Sequence, residues 1–229
     1  MKPELYVVIG AYGSGKSEYS IHLARQLNER GQDVVLADLD VVNPYFRSRD
    51  LREEFAQFGI EVIAPDGEFK HADLPMISPR IKGAIENLSK TVILDVGGDP
   101  AGCRALGRFV EPITRRGYQM RLVVNTLRPF TTTPEEILIM KQSLEFASKL
   151  QITQFICNTN LMEETTPQLM QSGIQIVQEA AGLCNTPFQT YLVLSDYEAL
   201  IPDGLEGKNR EVMIYTLKKP WEILIAKGI

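Results

Sequence analysis

The sequence predicts one α/β domain over residues 1–229, with a mainly parallel sheet of seven or eight strands and helices on both faces. Two observations support this prediction. Short apolar runs alternate with helical patterns along the chain, and no linker rich in Pro, Gly or Ser separates one part from another. Because parallel strands need long crossover connections, which are usually helices, this alternation favours a parallel sheet.

The candidate strands are short runs rich in apolar and β-branched residues, as expected of strands buried on both faces of a sheet. In chain order they are Leu5–Ile9, Val34–Ala37, Ile60–Ile63, Val92–Leu94, Met120–Val124, Phe155–Cys157 and Tyr191–Leu194. Ligands bind at the carboxyl ends of the strands in such sheets, so the residues that follow each run are the first candidates for function.

The candidate helices are segments in which apolar residues recur at helical spacing. They are Ser17–Arg30, Arg47–Phe58, Arg80–Leu88, Ala101–Arg115, Pro134–Leu150 and Pro167–Leu183. The helix at Pro134 has a clear start, because Thr133 is a good N-cap, proline suits the first turn and two acidic residues follow.

The segment 10–17, GAYGSGKS, fits the phosphate-binding pattern Gly-x4-Gly-Lys-[Ser/Thr], the P-loop, and lies between the first strand and the first helix. Its glycines allow a tight turn whose N–H groups point at phosphate oxygens. Lys16 can reach the β- and γ-phosphates and is assigned a catalytic role, while the Ser17 hydroxyl can bind Mg²⁺. The predicted nucleotide-binding residues in this part of the chain are Gly10, Gly13, Ser14, Gly15, Lys16, Ser17 and Glu18.

Acidic residues follow the second and fourth strands. Asp38 and Asp40 lie on the same side of an extended segment, where Asp38 can hold Mg²⁺ and Asp40 can orient an attacking water. Asp95 ends a buried-looking strand, which is the Walker B arrangement of a carboxylate that holds Mg²⁺. Gly98 then allows the backbone to approach the γ-phosphate.

The remaining candidates are less specific. Asn158 follows the sixth strand, and its amide can recognise the edge of a base, although a turn-capping role explains it equally well. The segment 125–129 is a weaker alternative for base binding. Arginines in the segment 43–52, or Arg104 and Arg108 on one helix face, can bind an anion or supply an arginine finger, or simply form a solvated surface.

Composition limits the function classes. The net charge of −5 argues against an extensive nucleic-acid surface. The three cysteines are well separated, so we expect free thiols in a reducing compartment rather than disulfides or a zinc site. No signal-like N-terminus and no apolar stretch of about 20 residues is present, so we expect a cytoplasmic protein without a membrane span.

The P-loop, the acid pair after the next strand and the Asp-x2-Gly after a later strand together resemble the SIMIBI class of P-loop NTPases, most closely the MinD/ParA-like ATPases. The resemblance spans roughly residues 5–202. It implies ATP and Mg²⁺ as cofactors, Asp40 as the residue that positions catalytic water, and Asn158 as a contact to the base. It also implies a protein partner and an ATP-dependent homodimer.

One departure from that family affects the choice of function. Its signature lysine after the first P-loop glycine is replaced here by Ala11, which weakens the case for activation across a dimer. Three hypotheses therefore stand: an ATP-hydrolysing switch, a P-loop kinase that phosphorylates a small-molecule or polynucleotide hydroxyl, and a scaffold that binds ATP with little hydrolysis. In the kinase hypothesis, the segment 45–52 would hold the acceptor.

Overall fold

One eight-stranded sheet organises the protein, whose computed structural model describes residues 4–40, 52–64 and 78–217. The strands are β1 (Leu5–Ile9), β2 (Val34–Asp38), β3 (Glu61–Ile63), β4 (Thr91–Asp95), β5 (Gln119–Val124), β6 (Gln154–Cys157), β7 (Phe188–Leu194) and β8 (Asn209–Met213). They are ordered β3-β2-β4-β1-β5-β6-β7-β8, and every neighbouring pair is parallel. The predicted fold class is confirmed, and the sheet is wholly parallel.

Helices cover both faces of this sheet. They are α1 (Lys16–Glu29), α2 (Arg52–Gln57), α3 (Arg80–Glu86), α4 (Pro100–Cys103), α5 (Val110–Arg116), α6 (Pro134–Ser148) and α7 (Pro167–Cys184). Short 3₁₀ turns lie at Arg104–Arg108, Met162–Glu164, Ser195–Tyr197 and Leu205–Gly207. No helix within the described ranges is long and apolar enough to cross a membrane.

Two hydrophobic clusters lie on opposite faces of the sheet, because successive strand residues point to opposite sides. In β1, Val7 and Ile9 belong to one cluster, together with residues of α3, α5, α6 and α7. Tyr6 and Val8 belong to the other cluster, together with buried residues of α1 and Phe55 of α2. The core therefore holds β1 rigidly at the centre of the sheet, with the P-loop at its carboxyl end.

The strand order reverses direction at β1, which pairs with β4 on one side and β5 on the other. Such a switch point leaves a crevice beyond the carboxyl ends of the strands, where ligands bind in sheets of this kind. The register also places Asp38 of β2 beside Asp95 of β4. The fold thus brings the ends of β1, β2 and β4 to one place.

Two parts of the fold differ from the sequence prediction. The pattern Ala101–Arg115 predicts one helix, but the chain forms α4, a 3₁₀ turn and α5. A Cβ on Gly102 would lie 2.8 Å from the Cα of Gly97, so this segment packs backbone to backbone, and glycines weaken a continuous helix. Strand β8 is an edge strand whose mostly polar sequence, NREVM, gave no apolar run.

The 3₁₀ turn also changes the relation between Arg104 and Arg108, which were expected to share a helix face. Residues i and i+3 eclipse in a 3₁₀ helix, so residues four apart point in different directions. The prediction that these two arginines share a helix face is therefore wrong. Of the predicted helix Arg47–Phe58, the structure describes α2 and the turn that follows it, and residues 47–51 lie outside the described part.

Candidate nucleotide-binding site

The P-loop leads directly from β1 into α1, as the motif predicts. Gly13 (φ 74°) and Gly15 (φ 85°) both adopt the left-handed conformation, and Gly15 is the residue before the helix. Gly10 is constrained by space instead, because a Cβ there would lie 2.4 Å from the carbonyl oxygen of Val123 in β5. These three glycines give the loop its shape.

The start of α1 lies where the loop would meet phosphate. The first N–H groups of a helix have no partner within the helix, and the helix dipole favours an anion there. In the structure, Ser14 N–H donates to the carbonyl of Ala11 at 3.0 Å, and Tyr19 N–H begins the helical pattern by donating to Gly15 at 2.9 Å. The loop is thus a closed turn that ends in an anion-binding helix terminus.

Lys16 is surrounded by the three predicted acids. Its Nζ lies 2.9 Å from Asp40 Oδ2, and both side chains are buried. Burial by itself would lower the pKa of Lys16, but the carboxylates of Asp95, Asp40 and Asp38 together raise it above its usual value. The lysine is therefore held protonated in a strongly acidic setting.

Asp95 has the chemistry expected of a metal ligand. It is fully buried, Ser20 Oγ donates to its Oδ1 at 3.1 Å, and the Ser17 hydroxyl helps to lower its pKa. Burial raises the pKa of Asp95 to about 6, and Lys16 opposes that rise. Its second oxygen, Oδ2, has no hydrogen-bond partner within the described part of the chain. A buried carboxylate oxygen of this kind needs a further partner, such as a cation.

The donors near Asp95 fit Mg²⁺, which prefers carboxylate and hydroxyl oxygens. The Ser17 hydroxyl acts on the pKa of Asp95, and Asp38 lies beside Asp95 in the strand register. The residues that the structure describes contain no cluster of three or more His, Cys, Asp or Glu side chains arranged to hold a metal. A magnesium ion held here would therefore take its other ligands from phosphate and water.

Gly98 lies against the P-loop rather than in open space. A Cβ on this residue would be 1.8 Å from the carbonyl oxygen of Gly10. The neighbouring Gly97 is also crowded, because its Cβ would lie 3.0 Å from the Cα of Gly102 and 3.4 Å from Asp40 Oδ1. The turn after β4 thus contacts both the P-loop and the carboxylate that pairs with Lys16.

Asn158 also contacts the P-loop. Its Nδ2 donates to the carbonyl oxygen of Ser14 at 2.7 Å, and its Oδ1 accepts from Asn160 Nδ2 at 3.0 Å. A Cβ on Gly15 would lie 2.2 Å from the same Nδ2. The amide therefore fixes the loop, which the sequence did not indicate, and recognition of a base by Asn158 stays a prediction.

The side chain of Glu18 points to a distant part of the chain. Its carboxylate accepts N–H groups from Thr216 at 3.0 Å and Leu217 at 2.6 Å, beyond the end of β8. Burial raises the pKa of Glu18 to about 7, and these backbone N–H groups oppose the rise. Any contact of Glu18 with phosphate would therefore come from its backbone N–H group at the start of α1.

Arg128 contacts the outer side of the loop, where its Nε donates to the carbonyl of Gly13 at 3.2 Å. It belongs to the segment 125–129, which the sequence suggested only as a weaker base-binding alternative, and its place after β5, next to β1, was the available signal for a contact with the loop. The weaker base-binding alternative, Asn125, uses its amide within the protein, on Leu127 N–H and on the carbonyl of Asn160. The segment 43–51 lies outside the described residues, while Arg52 donates to the carbonyl of Ala64.

This combination of an all-parallel sheet, a P-loop at the switch point and acids from two neighbouring strands defines the protein as a P-loop NTPase of the SIMIBI class. The family model for the CobQ/CobB/MinD/ParA nucleotide binding domain matches residues 5–176. The chain belongs to that family. Comparison with curated protein sequences gives no significant match.

Solved structures of FtsY share the fold. Cell division protein FtsY from Thermotoga maritima superposes with a TM-score of 0.58 at 20% identity, over 83% of this chain and 62% of that one. Chloroplast FtsY from Physcomitrella patens gives 0.56 and 18%, over 83% and 58%. The signal recognition particle receptor FtsY from Elizabethkingia anophelis, in complex with GDP, gives 0.54 and 16%, over 84% and 57%. The chain thus spans less than two thirds of these proteins, and the likeness is one of fold.

Proposed function

We propose that this protein binds a magnesium–nucleoside triphosphate, preferably ATP, and hydrolyses it as a conformational switch that acts on a protein partner. The observation that carries the proposal is that Lys16, at the start of α1, lies among carboxylates from the ends of two strands. Lys16 Nζ lies 2.9 Å from Asp40, and Asp95 and Asp38 both raise its pKa. A triphosphate with a divalent cation matches that pattern of charge.

Each residue has a defined part in this chemistry. P-loop N–H groups and Lys16 bind the β- and γ-phosphates and stabilise the charge that develops on them. Ser17, Asp38 and Asp95 would hold Mg²⁺, which neutralises phosphate oxygens when it is bound. Asp40 would orient the attacking water in line with the γ-phosphate. Asn158 keeps the loop in its binding shape through Ser14.

The preference for ATP comes from the sequence after β6. GTP-specific relatives carry Asn-Lys-x-Asp, and the segment 158–161, NTNL, lacks both the lysine and the acid that pairs with guanine. One structural relative binds GDP, which makes GTP the necessary comparison ligand. We place the protein in the cytoplasm, and we include an ATP-dependent homodimer among its expected states.

Calorimetry with Mg-ATP and Mg-GTP, combined with labelled ATP, tests the proposal. We expect binding of Mg-ATP, slow release of free phosphate, and loss of binding in Lys16→Met. Lys82→Met is a matched control, because Lys82 is exposed on α3, where it pairs only weakly with Glu86 at 4.0 Å. Label that appears on an added hydroxyl acceptor would support a kinase instead. The absence of binding to either nucleotide would end the proposal.

A further inference from the structure

The ammonium group of Lys16, which a γ-phosphate needs as a partner, is already paired with Asp40. The P-loop lysine has to reach the β- and γ-phosphates of a bound triphosphate. Here its Nζ is already 2.9 Å from Asp40 Oδ2, and both side chains are almost fully buried. A charge-assisted hydrogen bond in a buried site is strong, so it cannot be given up without a replacement. The γ-phosphate is such a replacement.

Asp40 is also the acid best placed to exchange. Asp95 belongs to β4, and its Oδ1 accepts the Ser20 hydroxyl at 3.1 Å. Asp38 is the last residue of β2, and its Oδ1 accepts the N–H of Asp40 at 3.1 Å. Asp40 lies beyond the end of β2, so it is outside the ladder of strand hydrogen bonds that fixes the other two.

On the basis of the proposed function, we propose that Asp40 determines how strongly the site prefers a triphosphate to a diphosphate. Its carboxylate takes the place of a γ-phosphate on Lys16 until a γ-phosphate displaces it. A nucleoside diphosphate can bind through the other N–H groups of the Lys16 ammonium while the pair with Asp40 stays intact, whereas the γ-phosphate of a triphosphate takes the position of the Asp40 carboxylate and displaces it. Asp40 therefore lowers the affinity for triphosphate more than the affinity for diphosphate.

The exchange also links binding to catalysis and to the turn after β4. A displaced Asp40 is released beside the γ-phosphate, where it can orient water. Its Oδ1 lies 3.4 Å from the position that a Cβ on Gly97 would take, so Asp40 lies next to that turn and its displacement changes the surroundings of the turn. Displacement of Asp40 is thus a direct report that the γ-phosphate is present.

The test compares dissociation constants for Mg²⁺ complexes of ADP and of a non-hydrolysable ATP analogue, measured by calorimetry on the full chain. In Asp40→Asn, the ratio of the ADP constant to the analogue constant should rise by about ten-fold or more, because a charge-assisted competitor is removed. Asp40→Ser should shift the ratio in the same direction. Asp33→Asn, with the same change of charge at the exposed, opposite end of β2, should leave the ratio unchanged.

The possible results separate this inference from the proposed function. If the natural protein binds both ligands and neither variant raises the ratio, Asp40 does not compete with the γ-phosphate and the inference fails while nucleotide binding stands. An equal gain for both ligands has the same meaning. If the natural protein binds neither ligand, both proposals fail. Thermal unfolding of each variant shows that the measured dissociation constants belong to folded protein. Two substitutions at residue 40 are used so that the test still works if one variant does not fold.

Discussion

The two sides of the P-loop carry different chemistry. Beyond β2 and β4, the chain presents carboxylates, namely those of Asp38, Asp40 and Asp95, around Lys16. Beyond β5 and β6, apart from Arg128 on the outer side of the loop, it presents uncharged amides and hydroxyls that bond to one another. Thr126 and Thr159 are 2.9 Å apart between their hydroxyl oxygens, and Asn125 donates to the carbonyl of Asn160 at 3.1 Å.

This difference in chemistry gives the two sides of the loop different roles. We call the residues beyond β2 and β4 the acidic half of the site and those beyond β5 and β6 the neutral half. An ion pair in the acidic half can change partner when an anion or a cation binds, because its members are charged before and after the exchange. The neutral half offers no such exchange, and Asn158 instead fixes the main chain of the loop at Ser14. We therefore expect the acidic half to sense the phosphates and the metal, and the neutral half to hold the loop in shape.

The largest effect should come from Gly98→Ala, which breaks the contact between the acidic half and the loop. A Cβ would lie 1.8 Å from the carbonyl oxygen of Gly10, and backbone must move to relieve the clash. We expect the free energy of unfolding to fall by about 1–3 kcal/mol or more, and nucleotide binding to be lost.

Urea unfolding and calorimetry measure the two effects of that substitution. Gly182→Ala in α7 is the control, because a Cβ there meets nothing within 4 Å. In a helix interior, that change should raise the free energy of unfolding by up to about 1 kcal/mol. A Gly98→Ala protein that binds Mg-ATP normally would show that the turn does not press on the loop.

The next effect should come from Asn158→Ala, which removes support from the neutral half. The carbonyl of Ser14 would lose its partner in a buried site, which costs about 1–3 kcal/mol of stability. If Asn158 only holds the loop, Mg-ATP and Mg-tripolyphosphate should lose affinity by the same factor. A loss confined to ATP would instead assign the amide to the base. Asn209→Ala, at the exposed start of β8, is the matched control.

The sequence was sufficient to predict the acidic half. Strand runs, a glycine pattern and acids at strand ends are local signals, and the parallel fold places the ends of neighbouring strands together. The sequence was not sufficient for contacts made by distant segments. Glu18 reaches Thr216 across 198 residues, and nothing near either residue predicts that contact.

The same reasoning explains the missed elements of the fold. The helix expected over residues 101–115 is broken where Gly102 packs against Gly97, a tertiary contact with no helical signature. Strand β8 carries polar residues because it lies at the edge of the sheet, so it lacks the apolar run by which buried strands are recognised. Local sequence patterns predict strands and helices that are buried and regular. They fail where packing between residues distant in the sequence determines the local structure.

The smallest effect is the pH dependence that Asp95 gives to the acidic half. Burial raises the pKa of Asp95 to about 6 from its usual value of 3.8, so as the pH falls the folded protein binds a proton there before the unfolded chain does. The contribution of Asp95 to the free energy of unfolding should therefore rise as the pH falls, by about 0.4 kcal/mol at pH 6 and about 1.4 kcal/mol at pH 5 relative to pH 8.

Glu18, whose pKa is raised to about 7, contributes with the same sign, so urea unfolding of Asp95→Asn and Glu18→Gln separates the two carboxyls. Each variant should lose its own share of the rise, and Asn209→Ala, which removes no titratable group, should lose none. The amides of the neutral half do not titrate in this range. A rise that survives both substitutions would place the titrating group elsewhere and remove this distinction between the two halves.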